Sequence, residues 1–115
     1  MSVQKFEDLI VWQKAQDLSV FVYENFKDNK DFSFNNQIKR ASVSISNNIA
    51  EGFDRNSNAD FKRFLYISLA SNSEVRSMLY LAVRLNFISE ESTTLLIDKS
   101  NEIAKMLFGL IKSLK

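Results

Sequence analysis

The chain contains no proline and only two glycines, Gly52 and Gly109, in 115 residues. These residue types disfavour a helix interior most, by about 3 and about 1 kcal/mol relative to alanine. Long helices therefore meet little resistance anywhere along this sequence. Apolar residues recur at steps of three and four, and no useful stretch alternates with the period of two that a half-buried strand shows. The pattern predicts an all-α protein.

Short polar clusters divide the pattern into four segments, predicting helices over about 6–28, 34–54, 59–86 and 90–114. Asp28-Asn29-Lys30-Asp31 separates the first two. Ser57 and Asp60 are spaced as a capping box before the third, with Asp in place of the usual Glu. Ser89 can cap the fourth, with Glu90 and Glu91 where the helix dipole favours acids and Lys112 and Lys115 at the opposite end. Four helices of similar length with short connections must reverse direction at each turn, so the expected architecture is an antiparallel up-down-up-down four-helix bundle. At 115 residues, 1–115 forms one domain.

Helix interiors supply the core. Leu96, Ser100, Ile103, Leu107, Leu110 and Leu114 form a bundle seam on the fourth helix, and Ile38, Ala41, Ile45, Ile49 and Phe53 one on the second. In the first helix the seam reads Leu9, Trp12, Gln16, Ser19, Val22 and Phe26, leaving Ile10, Val11, Leu18, Phe21 and Tyr23 outside it. The third carries Phe64, Ile67, Met78 and Leu85 beside Leu65, Leu69, Leu79 and Val83. Apolar residues this widely spread point to a second buried surface and self-association. The alternative is a broad intrachain face with a few exposed apolar residues.

The second helix is unusual because serine and asparagine crowd its middle, where they are mediocre helix formers. Gln37, Arg40, Ser44, Asn47 or Asn48, and Glu51 make a line that is polar from end to end. Three readings stay open. Small residues can let a neighbouring helix approach closely, with hydrogen bonds across the gap. The line can lie between subunits, with Arg40 and Glu51 pairing with Glu74 or Arg76. It can also be an exposed site for a ligand or nucleic acid. Gly52 would serve the helix end or a close contact.

Catalytic chemistry finds little support. The sequence has no histidine and no cysteine, which removes the usual general base, the imidazole and thiolate metal ligands and the common activated nucleophiles. Ser44 has no base to activate it, and the carboxylates lack the Glu-x-x-His element of di-iron bundles. The reading is of a non-enzyme that needs no cofactor and no metal. The formal net charge of +1 gives no global basic field. Locally, Arg55, Lys62 and Arg63 flank the second turn as candidate nucleic-acid contacts. Asp54 and Asp60 share that turn, so a solvated mixed-charge face is the other explanation. The acidic N-terminal stretch does not read as a signal peptide, and no apolar run approaches the roughly 20 residues of a membrane span. A cytoplasmic protein is expected.

Three runs carry a family resemblance. Phe6-x-x-Leu9-x-x-Trp12-Gln-Lys-Ala15-x-x-Leu18, Gln37-Ile-Lys-Arg40-Ala41-x-x-Ser44-Ile45-x-x-Asn48-Ile49-Ala50-Glu51-Gly52, and Phe64-Leu65-x-Ile67-Ser68-x-x-Ser71-x-x-Glu74 resemble the bacterial four-helix-bundle proteins of the 23S ribosomal RNA intervening-sequence type. That name refers to a reading frame inside an insertion in the rRNA gene and does not itself imply a ribosomal role. The family is similar to the accessory variability protein of diversity-generating retroelements, a basic, barrel-shaped homopentamer that binds nucleic acid and the reverse transcriptase. The resemblance implies a homopentamer of four-helix bundles. It also implies a linked polar set of Arg40, Ser44, Asn48, Glu51, Ser71 and Glu74, between helices two and three or between subunits. This chain departs from the retroelement relatives in being near neutral. The expected function is a homo-oligomeric binding or scaffold protein engaging RNA, DNA or a nucleoprotein. The alternative is a protein-protein interaction module with no nucleic-acid role.

Overall fold

The computed structural model describes residues 3–115; Met1 and Ser2, the start of the stretch read for a signal peptide, lie outside the described residues. Four α-helices follow one another: α1 Ile10–Phe26, α2 Phe32–Phe53, α3 Asn58–Arg84 and α4 Glu90–Ser113. Each packs on its neighbours in the chain and α1 closes against α4, while the diagonal pairs stay further apart. The result is an antiparallel up-down-up-down four-helix bundle, 44 × 22 × 19 Å. At 1.5 Å per residue α3 alone is about 40 Å long and spans nearly the whole molecule.

The caps explain where the helices start. Ser57 accepts a hydrogen bond from the Asp60 N–H (3.1 Å) and Ser89 from the Ser92 N–H (3.1 Å), as their spacing predicts. Asp31, read only as part of a polar cluster, caps α2 by accepting from the Phe34 N–H at 3.0 Å, so α2 starts at Phe32. Helix α3 stops in a Schellman turn: Phe87 N–H donates to Ala82 O, Asn86 N–H donates to Val83 O, and Asn86 sits at φ 61°. Asparagine is the residue other than glycine that tolerates this left-handed position best.

The first helix differs from its sequence reading. Residues 6–8 form a single 3₁₀ turn, and Leu9 is extended (φ −73°, ψ 122°) before α1 begins at Ile10. The break drops Leu9 into the core. It also shifts the phase of the first turns of α1, because a helical register carried forward from Leu9 starts on the wrong side of the break, and the expected and observed lines meet again only at Val22 and Phe26. The buried line is Leu9, Val11, Ala15, Leu18, Val22 and Phe26. Val11 and Leu18, expected outside the seam, are core residues, whereas Gln16 is exposed and Trp12 and Ser19 are half-buried. Trp12 packs edge-on to Phe6 with ring centroids 5.3 Å apart.

In α2 the core stripe is as read for Ile38, Ala41, Ile45 and Ile49, with Phe53 half-buried at the end. In α3, Phe64, Leu65, Leu69, Met78 and Leu79 are buried, but Ile67 and Leu85 face outward. In α4, Leu96, Ser100, Ile103, Leu107 and Ile111 are buried and Phe108 is exposed. Each large aliphatic side chain taken fully out of water contributes about 1.5–3 kcal/mol, and these lines from four helices meet in one core.

Candidate functional site

Small and polar residues define the contact between α2 and α3. Gly52 is its tightest point: a Cβ there would lie 2.6 Å from Phe64 Cβ and 3.0 Å from Phe61 Cδ1. Further along, the Ser68 hydroxyl donates to Ile45 O of α2 at 2.9 Å, which is within reach only because no bulky side chain separates the helices. On the outer edge of the same contact, the Ser44 and Ser71 hydroxyls share a hydrogen bond of 2.8 Å. Asn48 donates from Nδ2 to Ser44 O (2.8 Å) and Ser44 Oγ (2.9 Å). Gln37 Nε2 reaches Glu74 Oε2 at 3.5 Å, a long and weak contact.

Three residues of the predicted polar line and two of the polar set that the resemblance implies come together as one surface. Gln37, Arg40, Ser44, Ser71 and Glu74, with Ser33, Asn36 and Ala41, line a hollow of about 510 Å³. A second hollow of about 370 Å³ continues from Arg40 and Ser44 to Asn48, Glu51 and Tyr23. Arg40, Glu51 and Glu74 are exposed, and among the described residues none of them makes an ion pair within the chain. Arg76 points elsewhere, donating from Nη1 to Asn101 Oδ1 on α4 at 3.2 Å.

Sequence reasoning passed over the most buried polar groups. Asn72, fully buried on α3, donates to Ser100 O (2.9 Å) and accepts from Ser100 Oγ (2.9 Å) on α4. Both partners are satisfied, as burial demands. The only signal was a polar residue at a core step of each helix: Ser100 stood in the α4 seam, and Asn72 follows Ser68 by four. Ser19 is the exception. Its Oγ is buried without a partner at the α1–α2 groove.

The second group of candidates gathers at the corner where α2 turns into α3. The Arg55 Cζ lies over the Phe64 ring, 4.8 Å from its centroid, and the Arg63 Cζ lies 4.7 Å from the same centroid. Arg63 Nε also approaches Asp60 Oδ1 at 3.7 Å, an exposed i,i+3 pair worth little. Lys62 is half-buried beside them. Next to Arg55 a hollow of about 590 Å³ opens between the turn and the end of α4, lined by Asn56, Ser57, Asn58 and Lys115 among others. Gly52 sets this arrangement, since its contact brings the end of α2 down onto Phe64.

The Ser44 hydroxyl has Ser71 and Asn48 as neighbours, and neither is a base. Among the described residues no group of three or more acidic residues is placed to hold a metal ion, and no helix is long and apolar enough to cross a membrane.

By fold the protein is an all-α antiparallel four-helix bundle, with a serine–asparagine seam between α2 and α3 and two arginines at the corner that joins them. The chain belongs to the 23S rRNA-intervening sequence protein family, whose sequence profile matches residues 7–109. It is similar to a solved structure from Bacteroides thetaiotaomicron VPI-5482, a protein with unknown function from the S23 ribosomal protein family. The two share 31% identity over 90% of this chain and 100% of that one, with a TM-score of 0.86. No curated protein matches the chain.

Proposed function

We propose that the protein is a non-enzymatic, cytoplasmic, homo-oligomeric scaffold, a pentamer by family resemblance, that engages RNA, DNA or a nucleoprotein. The observation that carries self-association is the outer face of α3. Ile67, Leu81 and Leu85 are 39%, 45% and 46% exposed, and Tyr66 and Tyr80 flank them. Ile67, Ala70, Glu74, Ser77 and Leu81 repeat at steps of three and four, the spacing of a helix seam, and all five are exposed, with Glu74 at the edge also meeting Gln37 of α2. This seam runs beside the Arg40–Glu74 hollow. An adjacent copy would therefore cover apolar and polar surface together and give Arg40 or Glu74 a charge to pair with. In a closed ring the Arg55, Lys62 and Arg63 corner would repeat in every subunit, and repeated weak sites gain avidity for a polyanion. The non-enzymatic reading rests on the residue types: without histidine or cysteine, the polar seam offers hydrogen bonds and charges but no activated nucleophile.

Size-exclusion chromatography with light scattering tests this reading, with ultraviolet absorbance read across the peak. A mass of several subunits and absorbance in excess of the protein's own are the expected results. A monomer free of nucleic acid would remove both halves. A second reading, a module for protein partners alone, is favoured by Phe32 and Phe108, which are exposed away from the α3 seam. An assembled ring that binds no polynucleotide would move the conclusion there.

A further inference from the structure

From the paired guanidinium groups on Phe64 we infer that the α2–α3 corner is a base-stacking site for a single-stranded polynucleotide. This inference specifies the nucleic-acid reading above and rests on it. The starting point is an apparent conflict. Polynucleotide affinity ordinarily comes from many neutralised phosphates. This chain has a formal net charge of +1, and Asp54 and Asp60 stand in the same turn as the basic residues. Phosphate contacts alone would make a poor site here. Stacking is a contribution that does not depend on net charge, at roughly 5- to 150-fold in affinity per base.

The corner is built for that contribution. Arg55 and Arg63 come from either side of the turn and converge on one ring, so their Cζ atoms are no further apart than the two centroid distances allow. Phe64 itself is 7% exposed and cannot take a base. It can hold two guanidinium groups in place. The Arg63 side chain remains 60% exposed, so its guanidinium is accessible to a second partner while Phe64 holds it on one side. The neighbouring hollow adds the Asn56 amide, which can meet a base edge, and the Lys115 ammonium, which can meet a phosphate, with Asn58 Nδ2 donating to Lys115 O at 3.3 Å between them. In a duplex the bases are already stacked on one another and present no free face. A single strand presents them, and it alone can use this corner.

The test is fluorescence anisotropy with the intact protein and labelled oligonucleotides: single-stranded RNA and DNA, the corresponding duplexes, and a single strand of equal length with abasic positions. The same strands are titrated against Arg55→Lys/Arg63→Lys, which keeps both charges and loses both planes. Melting and mass are checked in parallel. The expected result is single strands bound at least about 10-fold more tightly than duplex or abasic strand, and a loss of about 10-fold or more in the lysine variant. Equal binding of abasic and normal strands to the unmodified protein would overturn the stacking inference and leave a phosphate-only reading. Should the lysine variant fail to fold, that comparison still decides. Failure of every polynucleotide to bind would overturn the nucleic-acid reading and this inference together.

Discussion

Gly52→Ala separates local helix propensity from tertiary packing because the two predict opposite signs. Propensity alone favours the substitution by about 1 kcal/mol, since alanine is the best helix former and glycine among the worst. The structure opposes it. The new methyl carbon would sit 2.6 Å from Phe64 Cβ, an atom rigidly attached to the α3 backbone, and 3.3 Å from Phe61 O. Neither can swing away as the end of a long side chain would, so α2 and α3 must separate. Overpacking of this kind costs about 1–3 kcal/mol. Separation also strains the Ser68–Ile45 and Ser44–Ser71 hydrogen bonds, each worth about 1 kcal/mol. The net expectation is destabilisation by about 1–3 kcal/mol. With an unfolding entropy near 2.1 cal/mol/K per residue, that lowers Tm by roughly 4–12 °C for a chain of this length.

Gly109→Ala is the matched control. Gly109 is helical and exposed, and its Cβ would meet nothing within 4 Å, so the same change there should stabilise by about 0.5–1 kcal/mol. Circular dichroism melts of the three proteins at one fixed concentration read both effects, the concentration being held because assembly contributes to apparent stability. A Gly52→Ala protein that melts at or above the parent temperature would refute the close α2–α3 approach, and with it the placement of Arg55 over Phe64.

Asn72→Ala should cost about 2–4 kcal/mol by urea denaturation, because it removes two hydrogen bonds and strands the buried Ser100 hydroxyl. Ser100→Ala should cost less, since the Asn72 bond to the Ser100 carbonyl survives. Asn86→Gly should raise Tm slightly, as glycine meets φ 61° without a Cβ; a clear drop would mean that the asparagine side chain has another task. Leu81→Glu should lower the assembly mass while leaving the circular dichroism spectrum of the chain unchanged, and an unaltered mass would exclude the α3 seam as the interface. Arg40→Ala and Glu74→Ala, both at exposed positions, should change monomer stability by no more than about 0.5 kcal/mol and weaken assembly more than polynucleotide binding; binding lost at full mass and stability would assign them to the ligand instead.

The fold was legible wherever local chemistry decides it. Ser57 and Ser89 cap because a hydroxyl three residues before a free N–H reaches it whatever the rest of the chain does. The α2 stripe from Ile38 to Ile49 was legible because a 3.6-residue period places those side chains on one side. The α1 stripe was misread because extended Leu9 breaks the register, and nothing in the local sequence marks that break. Phe6 and Trp12 pack across it, and Leu9 gains more from burial than from continuing the helix.

The candidate site divides in the same way. Residue type and spacing were enough to choose Gln37, Arg40 and Ser44 as one line, the family resemblance added Ser71 and Glu74, and the five line one hollow. The pairing of Arg40 and Glu51 with Glu74 or Arg76 was read as one between subunits; within the chain, side-chain reach across two helices depends on interhelical distance and rotation, which spacing does not give. Arg76 faces α4 for that reason. The Asn72–Ser100 pair was invisible for a related one: a buried polar residue is tolerable only if its partner stands opposite, and the sequence of one helix says nothing about what stands opposite it.

By itself the sequence determined the helical class, the number of helices, their order and direction, and the absence of the side chains most used in catalysis. The helical features follow from the lack of proline, the apolar period and the length of the connections, which act over a few residues, and the last from the lack of histidine and cysteine. Tertiary structure alone decided how close α2 comes to α3, which polar groups are satisfied, which apolar residues of α3 remain outside, and that Arg55 and Arg63 meet on one ring. Each of these depends on contacts between segments from different helices. A single glycine governs the closest of them, and only the neighbouring helix reveals why that position must lack a side chain.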